Sequence, residues 1–495
     1  GVTGSGKTEV YLHAIERVRA AGRGAIVLVP EISLTPQLLG RLRARLGDRV
    51  ALWHSAMTPA ERARSYAALR DGEADVVVGA RSAVYAPVRD VGLVIVDEEH
   101  DASYKQDSSP RYDARQVAYR RASQAGALVV YGSATPRPET WRSLPRLTLP
   151  ARVDGSQPPP VRVVDMRTQA AGPVSRPLAR ALRDAAERDE KAILLLNRRG
   201  FALSALCAAC GWIAECPNCD VALVHHRDPP RMVCHHCGHD EAVPPTCPAC
   251  GAVDVLRAGV GTEGLEAAVA RIVPDARRVR LDASSASGRG AVARLLDEFS
   301  RPGAAVLMGT QMVAKGHDLS DVTVAAIVDA DAALTRADFR AEERTFDLIV
   351  QTAGRAGRRG EPATVIVQAL EPDARAVRLA AEGAVGEFLD GEMERRERHG
   401  MPPFSHLVRL VADGYDRDAT AAVAQALAKA ITGFEGVDAL GPAQMHRLRG
   451  RWRRSVTARA DRAPRAVHAA LEALEACREL RERGDVRVSV DVDPQ

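Results

Sequence analysis

The first eight residues constrain the fold of this chain more than any other segment. Gly1-Val-Thr-Gly-Ser-Gly-Lys-Thr8 matches the phosphate-loop pattern Gly-x4-Gly-Lys-Thr. The glycines let successive backbone N–H groups turn toward phosphate oxygens, and the helix that follows adds its positive N-terminus. Lys7 would reach the β- and γ-phosphates, while the Thr8 hydroxyl would bind Mg²⁺. The candidate nucleotide-binding residues are Gly1, Thr3, Gly4, Ser5, Gly6, Lys7 and Thr8.

An apolar strand that ends in acidic residues gives the phosphate loop a partner. In Leu93-Val-Ile-Val-Asp-Glu-Glu-His100, Asp97 would stand at the carboxyl edge of a sheet. There Asp97 can hold Mg²⁺, and Glu98 can orient or deprotonate the attacking water. A chance glycine turn and a surface acidic turn are the alternative interpretations of the two motifs. Together the motifs predict hydrolysis of ATP, since no guanine-reading motif is present, with Lys7, Asp97 and Glu98 as catalytic residues.

Short apolar runs alternate with helical, Arg- and Ala-rich segments along most of the chain. Continuous β-branched runs of four or five residues indicate a parallel sheet that is covered on both faces. Such runs occur before residue 150 and again after residue 190, so the sequence predicts two α/β lobes. The predicted parts are a first lobe at 1–150, a linker at 151–177, a second lobe at 178–372 containing a cysteine-rich insertion at 205–252, and an α+β C-terminal domain at 373–495.

The composition narrows the class of protein. Of 495 residues, 46% are hydrophobic and 27% are charged, as in a folded globular protein. No apolar run approaches the roughly 18 residues of a membrane span. The net charge of +4 excludes a global basic field, so any surface for nucleic acid must be local. We therefore expect a soluble, cytoplasmic protein with no membrane partner.

Three later segments indicate a motor rather than a simple hydrolase. Tyr131-Gly-Ser-Ala-Thr-Pro136 is a strand ending in small hydroxyl residues, as the coupling motif of superfamily 2 motors does, and residues 309–318 follow a strand in the second lobe. Gln351-Thr-Ala-Gly-Arg-Ala-Gly-Arg358 places Arg355 and Arg358 on one helical face. Both arginines could stabilise charge at the γ-phosphate as an arginine finger does. We expect the lobes to close on ATP and open after hydrolysis.

Eight of the nine cysteines form four Cys-x-x-Cys pairs within residues 207–250. Each pair can place two thiolates on one tetrahedral Zn²⁺, so four pairs predict two closed structural sites. The spacing between the second and third pairs suits a ribbon in which the inner pairs share one zinc and the outer pairs share the other. Four nearby histidines are expected not to be ligands, and redox chemistry is the less favoured alternative. Zinc 1 is assigned to Cys207, Cys210, Cys247 and Cys250, and zinc 2 to Cys216, Cys219, Cys234 and Cys237.

The loop after the acidic motif is a candidate DNA contact. It combines Tyr104 and Tyr112 with Lys105 and Arg111. Aromatic rings that stack on bases, beside cations that bind phosphates, are typical of single-strand binding. Tyrosines that pack the loop onto the lobe are the alternative interpretation.

A second candidate DNA contact lies near the C-terminus. Residues 445–454 alternate cations with other residues, so Arg447, Arg449, Arg451 and Arg453 would line one face of a strand as a basic ridge. A solvated strand in an arginine-rich chain is the alternative interpretation.

Taken together, these motifs resemble those of the PriA family of replication-restart helicases, over essentially the whole chain. The resemblance implies two RecA-like lobes of superfamily 2 and a 3′→5′ DNA helicase that loads at stalled or collapsed forks and helps to reload the replicative helicase. The further matching segments are Glu9-Val-Tyr11, Val29-Pro-Glu-Ile-Ser-Leu-Thr-Pro-Gln37, Gly79-Ala-Arg-Ser-Ala-Val-Tyr85, Leu196-Asn-Arg-Arg-Gly-Phe201 and Lys315-Gly-His317.

The resemblance also implies cofactors and partners. It supports the nested pairing of two structural Zn²⁺ ions, with Mg²⁺ accompanying ATP, and an aromatic-rich loop that couples DNA to ATP hydrolysis. The family's C-terminal domain binds DNA and the acidic tail of the single-stranded-DNA-binding protein. Primosome and helicase-loader proteins are further expected partners. We expect a nucleoid-associated monomer that binds forks and single-stranded DNA.

One departure from the family pattern is large. The family's N-terminal region, which binds the 3′ end of the leading strand, its winged-helix domain and the strand before the phosphate loop are not among these residues. We therefore expect weaker ATP hydrolysis and weaker fork recognition from these residues alone than from the full family pattern. The rival hypotheses are a catalytically weak primosome scaffold and an RNA-directed translocase of the same superfamily. Intact Lys7, Asp97 and Arg355 disfavour the scaffold, and the cysteine block disfavours the RNA translocase.

Overall fold

The chain divides into two compact units, Gly1–Asn197 with Leu265–Leu389, and Arg198–Gly264 with Asp390–Gln495. The first unit contains two parallel sheets and the second contains two antiparallel sheets. None of the described helices is long and apolar enough to cross a membrane. The structure, a computed structural model, describes residues 1–30, 36–55, 57–169, 172–197, 210, 212, 214–221, 223–227, 230–234, 237–253, 262–282, 285, 290–310, 313, 321–334, 338–357 and 362–494.

The first sheet has five parallel strands in the order β2–β3–β1–β4–β5. Alternate side chains of β1 and β4 enter two separate cores, which is why both strands are continuous apolar runs in the sequence. The strands are β1 (Gly24–Leu28), β2 (Val50–Trp53), β3 (Val76–Gly79), β4 (Val91–Asp97) and β5 (Leu128–Gly132). The helices are α1 (Lys7–Ala20), α2 (Pro36–Leu46), α3 (Pro59–Asp71), α4 (Ala114–Ala125) and α5 (Pro138–Ser143).

The second sheet has six parallel strands in the order β11–β12–β7–β13–β14–β6. Its core is anchored by the stacked rings of Phe346 and Phe388, whose centroids lie 4.0 Å apart. The strands are β6 (Val161–Asp165), β7 (Lys191–Leu196), β11 (Arg277–Leu281), β12 (Ala305–Gly309), β13 (Val322–Val328) and β14 (Thr364–Ala369). The helices are α6 (Arg176–Glu187), α7 (Thr262–Ile272), α8 (Ala291–Ser300), α9 (Ala341–Ala353) and α10 (Arg375–Ala381).

One segment corrects the predicted linker at 151–177. Val161–Asp165 is the edge strand of the second sheet and pairs with β14 along its whole length. At the sheet edge only Val164 of this strand is fully buried, so the strand lacks the continuous apolar run on which the prediction depended. For a similar reason the sequence analysis did not predict Arg277–Leu281, which carries three arginines and forms the opposite edge.

The second unit combines the cysteine-rich region with the C-terminal domain. The antiparallel strands of the cysteine-rich region are β8 (Val224–Arg227), β9 (Pro230–Val233) and β10 (Asp240–Ala242). In the C-terminal domain a four-stranded antiparallel sheet, in the order β16–β17–β15–β18, packs on two alanine-rich helices. Its strands are β15 (His406–Gly414), β16 (Val437–Leu448), β17 (Arg451–Ala460) and β18 (Arg487–Val492). The remaining helices are α11 (Val385–Arg398), α12 (Arg417–Thr432), α13 (Ala463–Ala476) and α14 (Arg478–Arg483).

The predicted fold class is confirmed. Two parallel α/β lobes, a cysteine-rich insertion and a C-terminal α+β domain are all present. Because the strands of the first sheet are parallel, the carboxyl ends of β1, β4 and β5 meet at one edge. The acidic motif and the Ser-Ala-Thr motif follow β4 and β5, so the candidate site is at this edge.

Candidate nucleotide site and cysteine clusters

The phosphate loop is a left-handed glycine turn that leads directly into α1. Gly4 and Gly6 have φ values of 82° and 80°, a region that favours glycine. Gly6 is also the N-cap residue of α1, and no side chain caps this end of the helix. The N–H groups of the first turn therefore face the loop, which is the arrangement that binds a phosphate group.

The two acids at the end of β4 lie under this loop. The Lys7 Nζ atom is 3.4 Å from Glu98 Oε1. The Tyr11 hydroxyl of α1 donates a hydrogen bond of 2.8 Å to Asp97 Oδ1. Glu98 has a φ of 46°, so the chain turns sharply immediately after the strand. The structure thus brings together Lys7, Asp97 and Glu98, as the sequence analysis expects of catalytic residues.

The surroundings shift the two carboxyl groups in opposite directions. Burial and the neighbouring charge of Glu98 raise the pKa of Asp97 to about 6. Burial acts to raise the pKa of Glu98 too, but the charges of Lys7, His100 and Arg355 hold that pKa below its usual value. The positive charge of Lys7 offsets these effects on Asp97 only in part, and a carboxylate of this kind is a donor that Mg²⁺ binds, so Asp97 fits the predicted metal role.

Residues from the second lobe reach the same edge. Gln351 Nε2 at the end of α9 is 2.7 Å from His100 Nε2, and His100 Nδ1 is 2.8 Å from Ser133 Oγ. A methyl group added to Gly354 would overlap the side chain of Thr3 in the phosphate loop. Arg355 is close enough to lower the pKa of Glu98. The structure therefore brings Arg355 to the phosphate loop, whereas its predicted partner Arg358 lies outside the described residues.

A buried charged cluster that the sequence analysis missed also joins the lobes. Arg340, which precedes α9, forms ion pairs with Glu343 at 3.0 Å and with Glu139 of α5. Burial, together with the nearby charge of Glu343, holds the pKa of Asp347 well above its usual range, and Asp347 bonds to Thr135 of the Ser-Ala-Thr motif. No local spacing in the sequence indicates the contacts of Arg340 with Glu139 and of Asp347 with Thr135, because each joins residues about 200 positions apart.

The loop after the acidic motif differs from the prediction. Tyr104 is fully buried and its hydroxyl donates a hydrogen bond of 2.6 Å to the carbonyl oxygen of Asp97. Lys105 is also buried, at 6% exposure. Neither side chain has a surface on which a base or a phosphate could bind, so these two predicted DNA contacts are corrected: Tyr104 is a packing residue that supports Asp97.

An exposed aromatic ring, that of Tyr85, lies beside the half-buried Tyr112 of this loop. Tyr112 makes an edge-to-face contact with Tyr85, with centroids 5.2 Å apart, and the Arg81 guanidinium lies 5.8 Å from the Tyr112 ring. Tyr85 is 56% exposed. Arg111 is exposed nearby and donates from Nε to the Asp107 carbonyl at 2.8 Å. Tyr85 and Arg81 belong to the segment Gly79–Tyr85, so the sequence contained a signal for them that the analysis did not use.

The cysteines form two groups. Sulfur atoms of Cys216, Cys219, Cys234 and Cys237, the inner cluster, all lie within 4.8 Å of one another. Those of Cys210, Cys247 and Cys250, the outer cluster, do the same, and Cys207 lies outside the described residues. These are the groups that the nested pairing predicts.

The geometry of both clusters fits zinc. Cys216 and Cys237 have sulfurs 3.6 Å apart, and Cys210 and Cys247 have sulfurs 3.7 Å apart. Tetrahedral zinc with bonds of about 2.3 Å separates its sulfur ligands by about 3.8 Å. Backbone N–H groups two residues after Cys216, Cys237 and Cys247 each donate to that sulfur at 3.4 Å, which stabilises a thiolate.

The predicted basic ridge near the C-terminus is not a strand face. Strand β16 ends at Leu448, β17 begins at Arg451, and Arg449 and Gly450 form the turn between them. Arg447 pairs with Asp220 of the cysteine-rich region at 2.6 Å, and Arg451 pairs with Asp413. The prediction was wrong because positive φ at both turn residues reverses the chain, so the arginines separate onto two strands.

Comparison with known proteins matches three parts of the chain: the first lobe, the cysteine-rich region and the C-terminal domain. Three family descriptions match: DEAD/DEAH box helicase at residues 1–143, PriA DNA helicase Cys-rich region domain at 216–241, and Primosomal protein N C-terminal domain at 397–495.

Individual relatives extend the match to the whole chain. Replication restart protein PriA of Bacillus subtilis (strain 168) is 38% identical over 508 residues, which cover 100% of this chain and 63% of that protein. The protein of the same name from Treponema pallidum (strain Nichols) is 41% identical, over 93% of this chain and 71% of that protein. A solved structure of RecG bound to a three-way DNA junction has a TM-score of 0.45 at 17% identity, covering 81% of this chain and 44% of that one, too weak a likeness to add to these.

Proposed function

The chain belongs to the PriA family of replication restart proteins, and on this premise we propose that it is an ATP-driven DNA helicase that acts in replication restart. The observation that carries the proposal is the convergence of both lobes on one edge of the first sheet. Lys7, Asp97 and Glu98 lie under the phosphate loop, and Gln351 and Arg355 approach from the second lobe.

Each group at this edge has a chemical task in the proposed reaction. Lys7 and the N–H groups of the loop bind the β- and γ-phosphates. Glu98, kept ionised by the positive charges around it, orients the attacking water and accepts its proton. Arg355 stabilises the charge that develops on the γ-phosphate, with Arg358 as its proposed partner. Mg²⁺ held by Thr8 and Asp97 would neutralise negative charge between the β- and γ-phosphates.

The polar chain from His100 to the second lobe supplies the proposed link between hydrolysis and movement. His100 contacts Ser133 of the Ser-Ala-Thr motif and Gln351 of α9. Loss of the γ-phosphate removes the negative charge that holds Arg355. The contact between Gln351 and His100, which lies at the same edge, then breaks. The lobes open and the grip on DNA shifts along the strand.

For the DNA contact we propose the group Tyr85, Tyr112, Arg81 and Arg111, of which Tyr85 and Arg111 are exposed and the other two are half-buried. Stacking of bases on tyrosine rings and binding of phosphates by arginines suit single-stranded DNA. Tyr104 links this group to the acidic motif, because it lies in the same loop and its hydroxyl holds the carbonyl of Asp97.

The finer features of the proposal rest on the family alone. They are 3′→5′ movement, recognition of stalled or collapsed forks, binding of single-stranded-DNA-binding protein, primosome and helicase-loader proteins, and action as a nucleoid-associated monomer in the cytoplasm. Two zinc ions in the cysteine clusters would be structural, since a closed site of four thiolates leaves no open position for chemistry.

The deciding experiment is ATP turnover by this chain with and without nucleic acid. We expect single-stranded or forked DNA to stimulate turnover several-fold, and Lys7→Ala to reduce it by about 10²–10³-fold, as loss of a charge-stabilising donor does. Lys429→Ala, on an exposed helical position, is the matched control and should leave turnover unchanged.

Other outcomes separate the rival functions. Turnover that no nucleic acid changes would favour the scaffold hypothesis. Equal stimulation by RNA of the same sequence would favour the RNA-directed translocase.

A further inference from the structure

The inner cysteine cluster contacts a part of the chain that is more than two hundred residues away. The tip of the β16–β17 hairpin, defined as residues 447–450, lies against the knuckle Cys216–Asp220. Arg449 N–H donates to Cys219 Sγ at 3.2 Å, and Gly450 N–H donates to the Asn218 carbonyl at 2.7 Å. Both partners belong to the same compact unit.

An ion pair fixes the hairpin tip on the knuckle. Asp220 accepts two hydrogen bonds from Arg447, one from its backbone N–H at 2.9 Å and one from Nε at 2.6 Å. The guanidinium of Arg447 also lies 5.0 Å from the Trp452 ring, and Arg417 lies 5.2 Å from the same ring. Leu448 packs against the apolar side of the inner cluster. Backbone, charge and apolar contacts therefore coincide at this point.

Asp220 distinguishes this Cys-x-x-Cys pair from the other three pairs in the cysteine-rich region. In the other three pairs a glycine follows the second cysteine, and Gly238 and Gly251 have the left-handed backbone of a tight knuckle turn, with φ of 80° and 73°. Asp220 occupies the equivalent position in the second pair. A carboxylate that replaces the usual glycine, and that is satisfied by Arg447, indicates a built contact rather than a chance approach.

The backbone of the hairpin tip is also unusual. Arg449 has a φ of 54° and Gly450 a φ of 77°. A two-residue hairpin turn of type I′ requires positive φ at both of its central residues. Asn, Asp or Gly normally takes the first position, because a residue with a long side chain is strained there. In this conformation the N–H groups of two successive residues point at the knuckle, an arrangement that favours a negatively charged partner.

We propose that the hairpin tip is a lid on the inner cluster and that it slows the release of zinc from that site. Arg449 N–H acts directly on the sulfur, and the Asp220–Arg447 pair positions it. Outer contacts of this kind commonly change metal affinity by about 10- to 100-fold. Because binding is reciprocal, zinc in turn holds the hairpin and hence the edge of the C-terminal sheet. The inference depends on zinc in the cluster and not on the proposed motor activity.

Zinc release from the full chain tests the lid. We expect two zinc ions per chain by elemental analysis, and release of one of them to excess chelator at least tenfold faster in Asp220→Ala than in the unsubstituted protein. Asp438→Ala is the matched control. It removes a carboxylate that accepts two hydrogen bonds from Arg459 in the same sheet, away from the cysteines. Equal release rates for all three proteins, or no bound zinc, would overturn the proposal.

Two further measurements separate a lid from a general loss of structure. Arg449→Gly keeps the N–H group and relieves the strained backbone, so its zinc should be released at the unsubstituted rate. Release as fast as in Asp220→Ala would contradict the role given to the backbone N–H group.

Hydrogen exchange at residues 449 and 450 should accelerate when zinc is removed, while β15 stays protected. Unchanged exchange at the tip would also contradict the proposal.

Discussion

The acidic end of β4 and the inner cysteine cluster are both sites of concentrated negative charge, but they are stabilised differently. At Asp97 and Glu98 the compensating groups are side chains, namely Lys7, Tyr11, His100 and Arg355. At the cysteines the described donors to sulfur are backbone N–H groups. Side chains from two lobes can separate and exchange partners, whereas backbone donors are fixed by the fold. The first arrangement suits charges that change during a cycle, and the second suits charges that must stay constant.

Removal of one inner thiol should have the largest effect and tests the independence of the two sites. Cys216→Ser leaves three thiolates, so we expect zinc to fall from two per chain to one, since a closed tetrahedral site needs its four ligands. ATP turnover without DNA should remain close to the unsubstituted value, because every described nucleotide residue is in the first unit.

Elemental analysis and a turnover assay check this prediction. Cys477→Ala, in the buried C-terminal core and outside both clusters, should keep two zinc ions. Loss of basal turnover in Cys216→Ser would show that the sites are not independent.

Neutralising Asp97 should stabilise the fold, which would confirm that charge is held there at a cost. The pKa of Asp97 is about 6 in the folded chain, and the reference pKa of 3.8 applies to the unfolded chain. Between pH 3.8 and pH 6, Asp97 is therefore protonated in the folded chain and ionised in the unfolded chain. Stability therefore falls as pH rises through this window. Asp97→Asn should be more stable than the unsubstituted protein above pH 6, by on the order of 3 kcal/mol, and close to it near pH 4.

Thermal unfolding without added Mg²⁺, repeated across pH 4–8, measures this difference. Asp48→Asn, at an exposed turn position, is the control and should show no pH-dependent gain. An Asp97→Asn protein that is less stable at pH 7 would contradict the assignment of an unfavourable charge.

Removing one hydroxyl should have the smallest effect. The hydrogen bond from Tyr11 lowers the pKa of Asp97, so Tyr11→Phe should raise that pKa further and move the acidic limb of the pH–turnover profile to higher pH. The concentration of Mg²⁺ needed for half-maximal turnover should rise several-fold, with little change at saturating Mg²⁺ and high pH. Tyr119→Phe, an exposed position, is the control. A uniform loss of turnover at every pH would instead indicate damage to the loop.

The parts that sequence analysis predicted are those encoded by local pattern. The phosphate loop, the acidic end of β4 and the cysteine pairs each depend on residues within about ten positions, so spacing is enough to identify them. The apolar runs of β1 and β4 were equally clear because both faces of the sheet are covered.

The parts that it missed depend on contacts between distant segments. Asp220 with Arg447, and Glu139 with Arg340, join residues about 200 or more positions apart, and no spacing rule relates them. Tyr104 was misassigned because composition cannot distinguish a ring that faces solvent from one whose hydroxyl bonds to Asp97. Val161–Asp165 was missed because an edge strand needs no continuous apolar run.

Two glycines at the nucleotide site have a consequence for how the chain tolerates substitution. A methyl group at Gly354 would overlap Thr3, and one at Gly132 would overlap the Tyr11 hydroxyl. Neither glycine performs chemistry, and neither has the positive φ that usually explains an obligatory glycine. In a saturation library scored by growth, both positions would nevertheless be as intolerant as the catalytic residues. Mutational intolerance at this edge therefore maps steric fit between neighbouring segments as well as catalysis.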